Sequence, residues 1–110
     1  MDNQLRLGRV VLENTEDRNQ TTTVDLVFQG NEVKRGVPYY GIWEDRNQGA
    51  RCPFVLDDNG ECDFGTSYDG DDRIYETDLL DVPITIGQQV GWRSGDYETR
   101  MKVVGVTQLV

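Results

Sequence analysis

Histidine is absent from these 110 residues. Its absence removes the usual general base near neutral pH and the commonest metal ligand. No Ser-His-Asp or Cys-His arrangement can form within the chain. The expectation is a protein that is not an enzyme, with no catalytic residue and no cofactor. Long apolar runs are missing too: none approaches the roughly 20 residues that cross a bilayer, so no membrane partner is expected. The opening Met1-Asp2-Asn3-Gln4 lacks the basic start and apolar stretch of a signal peptide and points to synthesis in the cytoplasm. There is no basic stripe and no arginine cluster. Phosphate contacts supply most non-specific affinity for nucleic acid, so direct nucleic-acid binding is not expected.

Cysteine is scarce, with Cys52 and Cys62 bracketing Pro53 to Glu61. Asn59-Gly60 is a two-residue hairpin signal, because both positions tolerate positive φ. A regular hairpin turning there sets Asp58 opposite Glu61 and Asp57 opposite Cys62. Cys52 then lies five residues further along its strand, about 16 Å away. A disulfide needs Cα atoms within about 7 Å, so hairpin and disulfide exclude each other, and two free thiols are expected.

What is present is punctuation and alternation. Twelve glycines separate short β-prone segments, and no segment holds the helical period. Leu5 to Leu12 is a strand candidate in which Leu5, Leu7 and Val11 share one parity. Val24, Leu26 and Phe28 share a face, with Asp25 on the other. Val33 to Trp43 is aromatic and β-prone, bent at Pro38. Ile74 to Thr77, Ile84 to Ile86 and Gln89 to Arg93 are brief strands, and Leu79 to Val82 is a turn or short helix before Pro83. Tyr97, Thr99, Met101 and Val103 share a face of the last strand, reached through a Ser94-Gly95-Asp96 turn. The pattern predicts an all-β domain spanning 1–110, a small antiparallel barrel or sandwich of SH3-like or OB-like kind. Gly49 to Asp72 reads as a long excursion. Tyr39, Tyr40, Trp43 and Trp92 read as core and sheet packing before they read as a stacking platform for sugars or bases.

The formal net charge of −9 is not spread evenly. Ten acids fall between Asp57 and Asp81, opposed only by Arg73, and the remaining ten acids and ten bases cancel. This acidic loop region, 57–81, holds the candidate partner-binding residues Asp57, Asp58, Glu61, Asp63, Asp69, Asp71 and Asp72. Such a segment serves as a solvated loop, as a face for a basic protein, or as a mimic of nucleic-acid phosphates. Asp57, Asn59, Glu61 and Asp63 alternate like the start of an EF-hand loop. However, Cys62 stands where that loop needs glycine and Tyr68 where it needs glutamate. Asp69, Asp71 and Asp72 remain as weak metal candidates, although Asp-Gly-Asp is also ordinary turn chemistry.

Two stretches carry a larger pattern. Val24 to Asp45, VDLVFQGNEVKRGVPYYGIWED, runs strand, glycine turn and strand into Gly41-Ile42-Trp43 followed by acids. Arg73 to Val106 runs through Thr77-Asp78-Leu79 and Ile84-Thr85-Ile86-Gly87 to a glycine turn and the closing strand from Tyr97. Together they resemble tailed-phage head–tail joining (head-completion or stopper) proteins over roughly half the chain. Leu7-Gly8-Arg9-Val10-Val11 is also similar to the start of phage baseplate OB domains. The resemblance implies a virion structural component, an adaptor at the head–tail or tail region. Such an adaptor is oligomeric within its assembly, binds neighbouring protein subunits and needs no cofactor. The alternatives are an acidic inhibitor of a basic protein, acting in the cytoplasm, and a calcium- or carbohydrate-binding module.

Overall fold

The computed structural model describes residues 4–65 and 74–109. Nine strands appear in chain order: β1 (Leu5–Asn14), β2 (Gln20–Gln29), β3 (Glu32–Val33), β4 (Tyr39–Asp45), β5 (Ala50–Leu56), β6 (Glu61–Asp63), β7 (Ile74–Thr77), β8 (Gln89–Ser94) and β9 (Tyr97–Gln108). A single 3-10 turn, Leu79–Asp81, is the one helical element among the described residues. All strand pairs are antiparallel, in the order β1-β9-β8-β7-β6-β5-β4-β2, and β1 pairs with β2 to close the ring. The result is an eight-stranded up-and-down barrel, with β3 as an extra strand beside the far end of β2. Closure removes the exposed edges that an open sheet would present.

Alternation assigns the two faces. On β2, Thr22, Val24, Leu26 and Phe28 are buried while Thr21, Thr23, Asp25 and Val27 between them are half-buried and Gln29 is exposed. On β9, Met101 and Val103 point inward and Glu98, Arg100 and Lys102 are exposed. β1 departs from its expected parity. Val10 and Leu12 are the buried apolar side chains, in phase with Gly8 and Asn14, whereas Leu5 is exposed and Leu7 and Val11 are half-buried. Apolar residues occupy both parities of this strand, and a charge decides between them. Arg9 lies opposite Asp25 in the register and ion-pairs with it on the outer wall at 2.8 Å.

Three further expectations are corrected. The acidic region is not loop throughout. Among the described residues, β5 opens the excursion and β6, β7 and the 3-10 turn lie within residues 57–81, with Phe54, Leu56, Cys62 and Thr77 facing inward. Charged outward neighbours had masked that period. Ile84 to Ile86 is not a strand. Ile84 is buried and its N–H donates to the Asn31 carbonyl at 2.9 Å, whereas Ile86 is exposed. At Asn59-Gly60 the register is one residue off. Leu56 pairs with Cys62, and the Asp57 N–H donates to the Glu61 carbonyl at 2.9 Å, so three residues turn the chain. Asp57 Oδ1 accepts from the Asn59 and Glu61 N–H groups at 2.9 and 3.0 Å, and Gly60 supplies the positive φ of 85°. An aspartate-headed turn with one left-handed glycine has displaced the two-residue alternative. The conclusion on cysteine stands: both thiols are free, and Cys62 faces Leu56, four residues along β5 from Cys52.

The ends of the barrel differ. At one end, Leu79, Leu80 and Ile84 from the β7–β8 connection are buried in the core, with the 3-10 turn against β3 and the Ile84 N–H bonded to the Asn31 carbonyl. Arg35 ties that plug down, with Nε 3.1 Å from Asp58 Oδ1 and Nη1 2.7 Å from Asp81 Oδ1. At the other end the inward residues turn polar, and the interior opens.

Candidate functional site

Among the acidic candidates, Asp57, Asp58 and Asp63 are occupied by local structure. Asp57 organises the β5–β6 turn. Asp58 Oδ1 accepts from the Gly36 N–H at 2.7 Å as well as from Arg35, and both contacts hold its carboxyl below the ordinary carboxylate pKa. Asp63 Oδ1 accepts from the Gly65 N–H at 2.8 Å. Glu61 is exposed and lies opposite Glu76 in the register, a like-charge pair on the outer wall. Asp69, Asp71 and Asp72 lie outside the described residues. Among the described residues no group of acids or cysteines is arranged to hold a metal ion. The acidic segment therefore serves in part as turn chemistry.

A different site stands at the open end. A cavity of about 290 Å3 enters the barrel there, between the ends of β1, β2, β4, β8 and β9. Its polar wall is a chain of side chains across four adjacent strand ends, those of β9, β1, β2 and β4. Asn14 Nδ2 donates to Thr99 Oγ1 at 3.1 Å and to Gln20 Oε1 at 2.8 Å, and Gln20 Nε2 donates to Asp45 Oδ2 at 3.2 Å. The chain is anchored to backbone at two of its members, since Asn14 Oδ1 accepts from the Glu16 N–H and Asp45 Oδ1 from the Asn47 N–H, each at 2.9 Å. Thr22 Oγ1 lies 3.1 Å from Met101 Sδ just below. Asn14, Thr22 and Asp45 are three of the four buried polar residues among the described residues. The fourth, Thr77, accepts from the Leu79 N–H at the opposite end.

The apolar wall is aromatic. Trp92, Phe54, Phe64, Tyr75 and Tyr97 form a continuous series, with ring centroids 6.3, 5.6, 5.7 and 6.3 Å apart and successive planes between 59° and 88°. These are tilted and edge-to-face contacts, the favoured arrangement for aromatic pairs. Trp43 lines the cavity from β4. Gly41 makes the series possible. A methyl group there would overlap the Phe54 ring and lie 2.8 Å from the Thr23 carbonyl oxygen. The Trp92 indole N–H is buried without a hydrogen-bond partner among the described residues.

Asp45 is the only charged residue on the cavity wall among the described residues, and it is 2% exposed. No described lysine or arginine forms an ion pair with it. A buried carboxylate without a cation is costly, and here amide and backbone N–H donors hold it in place.

Compared with known protein families, curated proteins and solved structures, the chain matches none. The site therefore rests on its own geometry. Two of its aromatics, Trp43 and Trp92, were singled out in the sequence. Trp92 is core, as expected, but it is also cavity wall. Tyr39 is core and Tyr40 is 68% exposed on the outside. Phe54, Phe64 and Tyr75 and the polar chain were not anticipated. The available signal was inward parity: Asn14, Gln20, Thr22, Asp45 and Thr99 are polar residues in phase with apolar strand neighbours.

Proposed function

We propose that this chain is a binding module that takes one small ligand into the open end of its barrel. The observation that carries the reading is a cavity with an aromatic wall, a hydrogen-bonded polar wall and a closed base. Small-molecule sites are concave and mostly apolar, with a few convergent polar groups, and the mouth of a β-barrel is a recurrent place for them. An eight-stranded barrel has an interior that side chains fill or that holds one small ligand. In this chain Leu12, Leu26, Leu56 and Leu79 fill one half, and the other half is left open.

A fragment library titrated against the full chain tests this, read on the two indole N–H resonances. Binding should move Trp43 and Trp92, raise the melting temperature by mass action, and be lost in Thr99→Trp, which fills the cavity. Hits scattered over the outer wall, or unaffected by Thr99→Trp, would overturn it.

A second reading, the virion adaptor at the head–tail or tail region, has one specific observation in its favour. Tyr40 lies opposite Val55, Val55 opposite Asp63, and Asp63 opposite Ile74, which lines up three exposed apolar side chains across β4 to β7 on the outer wall. Such a row suits contact with a neighbouring subunit. Light scattering and negative-stain microscopy with candidate virion subunits test it, and a chain that stays monomeric and unassembled with all of them overturns it. The two readings use separate surfaces.

A further inference from the structure

We infer that the ligand of the open end is a small organic cation, an alkylated ammonium compound, seated against the aromatic wall with its charge toward Asp45. This rests on the cavity being the ligand site and adds the chemistry of what enters it.

Charge comes first. The wall carries one formal charge, the buried carboxylate of Asp45, and no described lysine or arginine offsets it. An anion entering the cavity would meet a like charge in a poorly solvated site. A cation would supply the missing partner. The chain's net charge of −9 raises the local concentration of cations and lowers that of anions.

Hydrogen-bonding capacity comes second. Both amide hydrogens of Asn14 are committed, to Gln20 and Thr99, and its carbonyl oxygen is taken by the Glu16 N–H. The Gln20 carbonyl is taken by Asn14, and one of its amide hydrogens goes to Asp45. A sugar ring needs several donors and acceptors at once, and this network spends most of them on itself. What remains is sparse and mixed: the Trp92 indole N–H and the second Gln20 amide hydrogen can donate, and each Asp45 oxygen, which takes one hydrogen bond, has a further lone pair.

The aromatic wall comes third. Trp43, Trp92, Tyr75 and Tyr97 all line the cavity. The face of an aromatic ring is its negative part, and tryptophan and tyrosine are the strongest partners for an ammonium group. Methyl groups on the nitrogen suit such a wall, because they spread the charge over an apolar surface and leave no N–H to satisfy. A cavity of about 290 Å3 is near the small end of ligand pockets, which run from roughly 300 Å3 upward, so the compound is small.

The test is a titration of the full chain with choline, with its uncharged carbon isostere 3,3-dimethylbutan-1-ol, and with glucose, followed by tryptophan fluorescence and the indole N–H resonances. Choline should bind saturably, and the isostere at least roughly tenfold more weakly, the size of a desolvated cation–π contact. Asp45→Asn should narrow that preference to the share that the aromatic wall supplies, and an unchanged preference would remove Asp45 from the site. Its side-chain oxygen can still accept the Asn47 N–H, so the turn is expected to survive. The comparison of choline with its isostere on the unaltered chain stands even if the variant does not fold. Equal binding of choline and isostere, or binding of glucose in place of choline, overturns the cation inference and leaves the cavity as a ligand site. Silence of both indoles to all three compounds and to the fragment library overturns both.

Discussion

The two ends of this barrel are built from the same eight strands and have opposite fates. At the closed end, inward positions stay apolar except for Thr77, whose hydroxyl accepts from the Leu79 N–H, and the β7–β8 connection adds Leu79, Leu80 and Ile84 as a plug. At the open end, inward positions become Asn14, Gln20, Asp45 and Thr99, which bond to one another and leave a cavity. The difference teaches how a small barrel divides its work. Burying apolar area at one end supplies stability, and polar inward residues at the other forgo packing and keep a shaped space.

The sharpest way to break that contrast is a pair of truncations. Leu79→Ala at the closed end should cost about 3 kcal/mol, as expected for a fully buried leucine that leaves a cavity. Tyr97→Ala at the open rim should cost less than about 1 kcal/mol, since half of that side chain is already in solvent. Urea unfolding of both variants measures the difference, and equal losses would erase the distinction between plug and mouth.

Next in size is Gly41→Ala, at about 2 kcal/mol for forcing a methyl group against Phe54 and the Thr23 carbonyl. Because Phe54 belongs to the aromatic series, this change should also shift the Trp92 resonance, linking stability to the shape of the open end.

A smaller effect separates the ends by pH. Asp58, in the clamp that holds the plug, has its carboxyl pKa lowered from the ordinary 3.8 by the Gly36 N–H first and by Arg35 second. A depressed folded pKa contributes stability that is present above the unfolded value and is lost as pH falls through the folded one. Acid below the ordinary carboxylate range should therefore loosen the plug. Arg35→Ala should flatten that acid limb in urea midpoints taken across pH, and an unchanged limb would remove Arg35 from the clamp.

The gentlest probe is thiol chemistry. Cys52 is half-buried toward the open end, and Cys62 is fully buried beside Leu56, where burial pushes its thiol pKa strongly up. One thiol should react with an aromatic disulfide reagent in the native protein and the second only on unfolding. Two equally fast thiols would mean that the closed half is not closed.

Much of the barrel was legible in the residues. Alternation placed Val24, Leu26 and Phe28 inside β2, and Met101 and Val103 inside β9, because a strand shows its faces with a period of two. Where both parities are apolar, as in Leu5 to Leu12, alternation is silent, and the cross-strand pairing of Arg9 with Asp25 decides. Where charge is dense, as between Asp57 and Asp81, Ile74 to Thr77 still reads as a strand and is β7, but β6 reads as loop because its outward residues dominate a short strand. Ile84 to Ile86 has strand composition but no strand beside it to pair with, so Ile84 became part of the plug.

The candidate site was the least legible part. Asn14, Asp45 and Thr99 lie on three strands and are distant in the chain, and an inward polar residue looks like any outward one until closure assigns its face. The sequence by itself determined an all-β chain without histidine, its turn chemistry at glycine and aspartate, and the inner faces of its most regular strands, since propensity, turn geometry and period are local properties. Only the tertiary structure decided that the strands close into a ring, which end is plugged, and that Asp45 sits buried beside an aromatic wall. Those depend on register and on contacts between residues far apart in the chain, and no local pattern encodes them.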